Sequence, residues 1–268
     1  MRLLSEMPFS DAGRVRLVLT DIDDTLTHEG RLPAEAYKAL EDLTAAGFIV
    51  APITGRPAGW CDMIARMWPV AGVVGENGAM YFAYDTAAKK MKRQYAVAPA
   101  ARLADQTRLK LIQQRVLNEV EGSAVSADQA YREADLAIDF CEDVTPLARH
   151  AVNLIKSIFE QEGAVAKISS IHVNGWFGNY DKLTMTRIFA REIAGLDIDK
   201  DNALVAFVGD SPNDAPMFGF FKNSFGVASI HDFAGRLDAE PTYVTPSRGG
   251  QGFVEVARHL LASQRTDQ

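Results

Sequence analysis

Residues 16–25 read Arg-Leu-Val-Leu-Thr-Asp-Ile-Asp-Asp-Thr, a short apolar run that changes abruptly into carboxylates. The apolar half predicts a buried β-strand, because strands covered on both faces are short and almost uniformly apolar. A helix is predicted next, from Pro33 in its first turn to a stop at Gly47, and residues 48–53 predict a second apolar strand. This order indicates an α/β fold, with a Rossmann-like parallel sheet and helices on both faces.

The middle third of the chain departs from this pattern, and the last third returns to it. Residues 81–97 predict a hairpin, and the strands predicted after it alternate apolar and polar residues, as strands with one open face do. Residues 203–208 again predict a fully apolar strand. We therefore expect a core domain formed by residues 1–83 and 179–268, with an α+β domain inserted at 84–178.

Polar side chains follow three of the predicted strands. The first strand is followed by Asp21, Asp23, Asp24 and Thr25, the second by Thr54, Gly55 and Arg56, and the 203–208 strand by Asp210, Ser211, Asn213 and Asp214. In open parallel sheets, ligands bind in the crevice beyond the carboxyl ends of the strands. These loops are therefore expected to converge on one site.

The two acidic loops, residues 21–25 and 209–214, predict a metal site. Crowded carboxylates raise each other's pKa values unless a cation lies among them, and hard oxygen ligands favour Mg²⁺ over zinc or copper. A calcium loop starting at Asp21 is excluded by spacing, because Leu26 and Leu32 occupy its glycine and glutamate positions. Taken alone, the first loop could also be a solvated acidic turn. The presence of a second acidic loop makes this alternative much weaker than a metal site.

Thr54 to Arg56 and Lys182 are the candidates for holding phosphate. A hydroxyl and free backbone N–H groups at the start of a helix can bind phosphate oxygens. Lys182 lies in the first turn of the helix predicted over residues 181–194, and this acidic chain offers few other cations to offset phosphoryl charge. Each signal is weak alone, since turns often use Thr and Gly and a first-turn lysine is usually solvated.

The composition excludes several classes of protein. The chain has 268 residues and a net charge of −7, without a block of consecutive basic residues, which argues against a nucleic-acid partner. No apolar run reaches about 18 residues and no leader sequence is evident, so no membrane partner and a cytoplasmic location are expected. Cys61 and Cys141 lack metal-ligand spacing and are expected to be free thiols.

The chain resembles the haloacid dehalogenase-like (HAD) superfamily, whose enzymes are mostly phosphatases. Four of its motifs stand in order: Asp21-Ile-Asp-Asp-Thr-Leu-Thr27, Thr54 in Ile-Thr-Gly-Arg, Lys182 in Tyr-Asp-Lys, and Gly209-Asp-Ser-Pro-Asn-Asp214. The long insertion resembles the C2-type cap of subfamily IIB, which includes sucrose-phosphate, mannosyl-3-phosphoglycerate and Cof-type sugar phosphatases. The turn Gly75-Glu-Asn-Gly-Ala79 is also similar to one in that group.

The resemblance implies a role for each motif residue. Asp21 would attack phosphorus to form an aspartyl-phosphate, and Asp23 would protonate the leaving alcohol and then activate water. Thr54 and Lys182 would hold the phosphoryl oxygens, while Asp21, the backbone carbonyl of Asp23 and Asp210 would bind Mg²⁺. Supporting positions are Gly55, Asn213 and Asp214. Asp24 receives no role beyond shaping the loop.

The inserted domain is expected to close over the site and contact the leaving group of a small-molecule phosphate ester. His172 and Asn174 share one strand face with Trp176 and suit a polyhydroxylated ligand. An equal alternative is that His172 and Asn174 face solvent while Trp176 packs between the domains. Arg56 either contacts a substrate anion or pairs with a core carboxylate, and Asn77 is a further candidate contact.

Three functions follow from this reasoning. The first is a Mg²⁺-dependent phosphatase for a sugar phosphate or phosphorylated glycoside, as a monomer or homodimer. The second is a phosphomutase of the phosphomannomutase type. The third is a regulatory module that binds a phosphometabolite without turnover, which the intact Asp21 and Asp23 disfavour.

Overall fold

The computed structural model of the protein describes residues 1–265, in which strands and helices are joined by turns and loops. The strands are β1 (Arg2–Leu3), β2 (Leu17–Thr20), β3 (Ile49–Pro52), β4 (Val73–Gly75), β5 (Met80–Asp85), β6 (Lys90–Tyr95), β7 (Ala124–Val125), β8 (Leu136–Asp139), β9 (Val165–Ile168), β10 (His172–Trp176), β11 (Val205–Gly209), β12 (Asn223–Gly226) and β13 (Tyr243–Val244). The helices are α1 (Phe9–Ala12), α2 (Ala34–Ala45), α3 (Ala58–Met67), α4 (Pro99–Glu119), α5 (Arg149–Gln161), α6 (Lys182–Phe189), α7 (Ala215–Phe220) and α8 (Gly249–Arg265). Among the helices of these residues, none is long and apolar enough to cross a membrane.

The central sheet has six parallel strands in the order β1-β13-β12-β11-β2-β3. Strand β2 lies between β11 and β3, and Thr20 at its end pairs with both Val208 and Pro52. The three loops that follow these strands therefore leave the sheet at the same edge, beside one another. The predicted parallel α/β architecture is confirmed.

Helices cover both faces of this sheet, as predicted. Val18 of β2 packs into a cluster with residues of α2, α3 and α8, whereas Leu17 and Leu19 pack on the other face with residues of α6 and α7. All three side chains are fully buried, and each is worth about 1.5–3 kcal/mol of burial free energy. The strand that carries the acidic loop is thus anchored from above and below.

The second domain, which we call the cap (residues 99–176), is built on the antiparallel sheet β7-β8-β10-β9. Its apolar face packs against α4 and α5, where Val173 lies with Ile112 and Phe159. The expectation of an open second face is wrong for the two central strands, since β8 and β10 are buried along their whole length. The reason is that this face turns toward the core domain instead of toward solvent.

The hairpin β5–β6 extends a sheet that begins with β4, in the order β4-β5-β6. An isolated bridge from Ile53 to Val74 places β4 beside the end of β3. The predicted boundary between residues 83 and 84 falls inside β5. A division that keeps this sheet whole lies after Tyr95, and the extents of the two domains remain a prediction.

Candidate active site

A buried lysine joins two of the carboxylates at the edge of the sheet. Lys182 Nζ lies 2.7 Å from Asp21 Oδ1 and 2.8 Å from Asp214 Oδ1. Lys182 is the first residue of α6, and the Asp181 side chain caps that helix by accepting a hydrogen bond from the backbone N–H of Thr184 at 2.7 Å. The backbone turn at Gly78 packs on Asp181 so closely that a Cβ there would lie 2.0 Å from the Asp181 carbonyl oxygen.

Asp210 completes the acidic cluster from the end of β11. One carboxylate oxygen of each of Asp21, Asp210 and Asp214 lies within 4.8 Å of the others. The second oxygen of Asp214 accepts the backbone N–H of Asp210 at 3.1 Å, so Asp214 also holds the loop in place. Asp210 itself accepts only a long hydrogen bond from the Thr25 hydroxyl, at 3.4 Å, and within residues 1–265 no ion pair engages it.

This cluster carries more negative charge than Lys182 can balance. Burial, together with the charges of Asp214 and Asp23, raises the pKa of Asp21 to about 8 even though Lys182 opposes the change. Burial and the neighbouring carboxylates Asp214 and Asp21 raise the pKa of Asp210 well above its ordinary value. A cation among these oxygens would stabilise their ionised forms.

The donors in the cluster fit Mg²⁺. They are hard carboxylate oxygens, and Asp210 has most of its lone pairs free. Asp21 and Asp210 are the residues that would hold the ion. Asp214, which also belongs to the cluster geometrically, is committed to Lys182 and to the loop backbone.

Asp23 lies on the cap side of the same loop and is paired with Arg56. The guanidinium donates from Nε to both carboxylate oxygens at 3.0 Å and from Nη2 to Oδ1 at 2.8 Å. Arg56 also reaches the cap, where its nitrogens lie 2.8 Å from Glu142 Oε1 and 3.4 Å from Asp128 Oδ2. Of the two interpretations of Arg56, pairing with a core carboxylate is the one observed, and the same side chain links the two domains.

Asp24 and Thr54 shape the two loops from within. Asp24 adopts the left-handed region at φ 56°, which Asp tolerates better than most residues, and its N–H donates to the Thr27 hydroxyl at 2.9 Å. Thr54 is fully buried, and its hydroxyl accepts the backbone N–H of Arg56 at 3.0 Å. The next residue, Gly55, is the one that reaches the surface of the cavity described below.

A cavity of about 20 Å³ separates the core from the cap. It is lined from the core by Asp21, Asp23, Gly55, Arg56, Asp210, Ser211 and Asn213, and from the cap by Arg132, Ser169, Ser170, Ile171, His172 and Asn174. One water needs roughly 10–15 Å³, so the cavity holds little more than that. The cap therefore lies close over the strand ends and leaves little room for a phosphate ester between the two domains.

The structure brings most of the predicted contact residues to this cavity. His172 and Asn174 both line it and are buried, so neither faces solvent. The Asn174 and Asn77 amides donate to Asp135 Oδ2 at 3.1 and 3.4 Å. Trp176 instead stacks on the Tyr180 ring, 5.8 Å away between centroids, and packs at the junction of the domains.

The sequence reasoning missed the residues that fasten the cap to the core. Glu76 is fully buried, and its carboxylate accepts the backbone N–H groups of Ala58, Glu133, Ala134 and Asp135 at 2.6–3.1 Å. Arg132 donates to Gly55 O at 2.9 Å and pairs with Asp128 and Asp135. Glu76 could have been found from the sequence, since it lies in the 75–79 turn that resembles one in the family, whereas no sequence pattern marks Arg132 or Glu142.

A parallel sheet whose strand ends gather an acidic cluster and a buried lysine beneath a second domain has the architecture of an enzyme active site. A family model of haloacid dehalogenase-like hydrolases matches residues 18–174, more than half of the chain. The chain belongs to this family. It is therefore a hydrolase, and the family predicted from the motifs is confirmed.

Solved structures of the same fold cover almost all of the chain. A Thermoplasma acidophilum protein is 17% identical with a TM-score of 0.69, covering 92% of this chain and 98% of its own. The trehalose-6-phosphate phosphatase C-terminal domain of C. albicans is 13% identical with a TM-score of 0.68, covering 97% and 98%. The sucrose-phosphatase of Synechocystis sp. PCC6803 is 16% identical with a TM-score of 0.61, covering 91% and 97%. No curated protein matches the chain by sequence.

Proposed function

We propose that the protein is a Mg²⁺-dependent phosphatase that hydrolyses a small phosphate monoester through an aspartyl-phosphate intermediate. The observation that carries this proposal is the convergence of Asp21, Asp210 and Lys182 at one sheet edge, with Asp23 facing the same cavity. Sucrose-phosphatase and trehalose-6-phosphate phosphatase share the fold, which supports a sugar phosphate or phosphorylated glycoside as substrate.

In the first step, a carboxylate oxygen of Asp21 attacks phosphorus and the bond from phosphorus to the ester oxygen breaks. The leaving alcohol takes its proton from Asp23, which lies in the same loop and lines the same cavity. In the second step Asp23 removes a proton from water, the water oxygen attacks phosphorus, and Asp21 is released as a carboxylate. Inorganic phosphate and the alcohol are the products.

Charge neutralisation and positioning are the main requirements of this chemistry. Lys182 supplies one fixed positive charge 2.7 Å from Asp21. Mg²⁺ held by Asp21, the Asp23 carbonyl and Asp210 would supply the rest, offsetting the charge of the phosphoryl oxygens. The backbone of Thr54 and Gly55 would orient the phosphoryl group, with Asn213 and Asp214 keeping the third loop in place.

A phosphomutase is the second candidate, because the cap lies close over the site. A mutase has to protect its aspartyl-phosphate from water, and the closed cavity of about 20 Å³ leaves little room for water. In a mutase the phosphoryl group would return from Asp21 to a second hydroxyl of the same sugar. The cytoplasmic location and the monomeric or homodimeric state remain predictions from the sequence.

A phosphate-release screen over sugar phosphates, with Mg²⁺ or with EDTA, tests the proposal. We expect Mg²⁺-dependent release from at least one ester, and interconversion of hexose monophosphates without release would favour the mutase instead. Asp21→Asn removes the nucleophile and should abolish turnover of every substrate while the circular dichroism spectrum stays unchanged. Residual kcat within tenfold of wild type would refute the assignment of Asp21.

A further inference from the structure

The charges around the cavity point to the kind of leaving group that it accepts. Resting on the proposed phosphatase function, we infer that the site selects phosphate esters whose leaving group is neutral or cationic and rejects those that carry a second anion. We also infer that Glu142 of the cap is a residue that determines this specificity.

Both arginines that line the cavity are already paired with carboxylates. Arg56 contacts Asp23 at 2.8 Å and Glu142 at 2.8 Å. Arg132 contacts Asp128 at 2.8 Å and Asp135 at 2.9 Å. A carboxylate or second phosphate on a substrate would therefore have to displace one of these partners before it met a free guanidinium.

The same groups leave an excess of negative charge on this side of the cavity. The two guanidinium groups pair with four carboxylates: that of Asp23, which lines the cavity, and those of Asp128, Asp135 and Glu142, which contact the lining arginines without lining the cavity themselves. The side chains of Asp23 and Glu142 are 21% and 30% exposed, so water screens their charge in part, but a second anion brought beside them still meets net repulsion.

Glu142 lies at the centre of this arrangement. Its two carboxylate oxygens lie 2.8 Å from Arg56 Nη2 and 2.9 Å from His172 Nε2, so it neutralises the core arginine and touches a cavity-lining side chain. The loop that carries it is fixed because the backbone N–H of Glu142 donates to Asp139 Oδ1 at 2.8 Å. Hydrogen bonding to His172 is the main cause that lowers the pKa of Glu142 to about 2, and the Arg56 contact adds to it.

A neutral polyol meets none of this repulsion. Its hydroxyls can donate to the carboxylate of Asp23 and accept from the amide of Asn174, since both side chains line the cavity. An amino sugar would add a favourable charge. The cavity wall thus accepts hydroxyl and ammonium groups in preference to carboxylate.

The test compares pairs of esters that differ only by CH₂OH against COO⁻. The pairs are sorbitol 6-phosphate with 6-phosphogluconate, and glycerol 3-phosphate with 3-phosphoglycerate. For wild type we expect kcat/KM to be at least about tenfold higher for the neutral member of any pair that is hydrolysed. Glucosamine 6-phosphate should be hydrolysed at least as well as glucose 6-phosphate.

Glu142→Gln removes one of the negative charges and frees part of Arg56, so the ratio of neutral to anionic kcat/KM should fall several-fold. The matched control is Glu160→Gln, which changes the net charge equally at an exposed position of α5 that pairs with Lys156. This control should leave the ratio at its wild-type value. Circular dichroism and thermal melting establish that both variants are folded.

Two results would overturn the inference while leaving the phosphatase proposal intact. One is equal or better hydrolysis of the anionic members by wild type, and the other is a ratio that Glu142→Gln leaves unchanged. Absence of phosphate release from every ester, including p-nitrophenyl phosphate, would instead overturn the proposed function and the inference with it.

Discussion

Replacement of Lys182 by methionine tests the charge balance of the acidic cluster. Lys182 is only 5% exposed and is the cation that lies between Asp21 and Asp214, so its removal leaves two buried carboxylates without their shared partner. Breaking a buried ion pair from one side typically destabilises a protein by about 3–5 kcal/mol. For a chain of this size that corresponds to a fall in Tm of roughly 6–20 °C, at about 2–4 °C per kcal/mol.

The loss should depend on pH and on Mg²⁺. At pH 5 the carboxyl groups of the cluster hold protons more readily, because the pKa values of Asp21 and Asp210 are raised, so the variant should recover part of its stability. Saturating Mg²⁺ should do the same at pH 8 by replacing the lost charge. Urea denaturation with EDTA or Mg²⁺ measures both effects, and Lys156→Met, an exposed change, is the control. A loss below about 1 kcal/mol at pH 8 in EDTA would refute this account of the cluster.

Two further perturbations test the response of the acidic cluster to Mg²⁺ and the contact of Glu76 with the cap. The folded protein holds the pKa of Asp21 at about 8, against about 3.9 in an unfolded chain. Between these two pH values the folded protein binds more protons than the unfolded chain, so the contribution of Asp21 to stability declines as pH rises. Mg²⁺ should therefore raise Tm more at pH 8 than at pH 5, and equal shifts in thermal melts would contradict this. The Glu76 carboxylate accepts four backbone N–H groups, and Glu76→Gln keeps its shape but replaces one of the two acceptor oxygens by an NH₂ donor. Urea denaturation should therefore show a loss of about 2–4 kcal/mol in the free energy of unfolding. A loss below about 1 kcal/mol would show that Glu76 does not fasten the cap.

The core fold and the positions of the acidic loops could be predicted because local sequence determines them. A fully apolar run such as residues 17–19 leaves few options besides a buried strand, and helices between such strands force a parallel sheet. Once the sheet is parallel, Asp21 and Asp210 must leave it at the same edge, whatever the details of packing. The sequence thus predicts this neighbourhood without any knowledge of long-range contacts.

The contacts of the cap could not be predicted in this way, because they depend on how closely the two domains approach. Periodicity placed His172 and Asn174 on one strand face, which is correct, but the partner of that face is set by the other domain. Arg56 shows the limit most clearly. Its position after a strand suggested a phosphate contact or a core ion pair, whereas its guanidinium contacts both Asp23 and Glu142.

The position of Arg56 has a consequence for how the site works. While the cap is closed, both oxygens of Asp23 accept hydrogen bonds from Arg56, and the same guanidinium contacts Glu142 of the cap. A carboxylate held in this way is poorly placed to give a proton to a leaving alcohol in the proposed mechanism, because both of its oxygens are already engaged. Opening of the cap separates Glu142 from Arg56 and removes one of the contacts that fix the guanidinium. Entry of a substrate and release of Asp23 for proton transfer would therefore depend on the same movement.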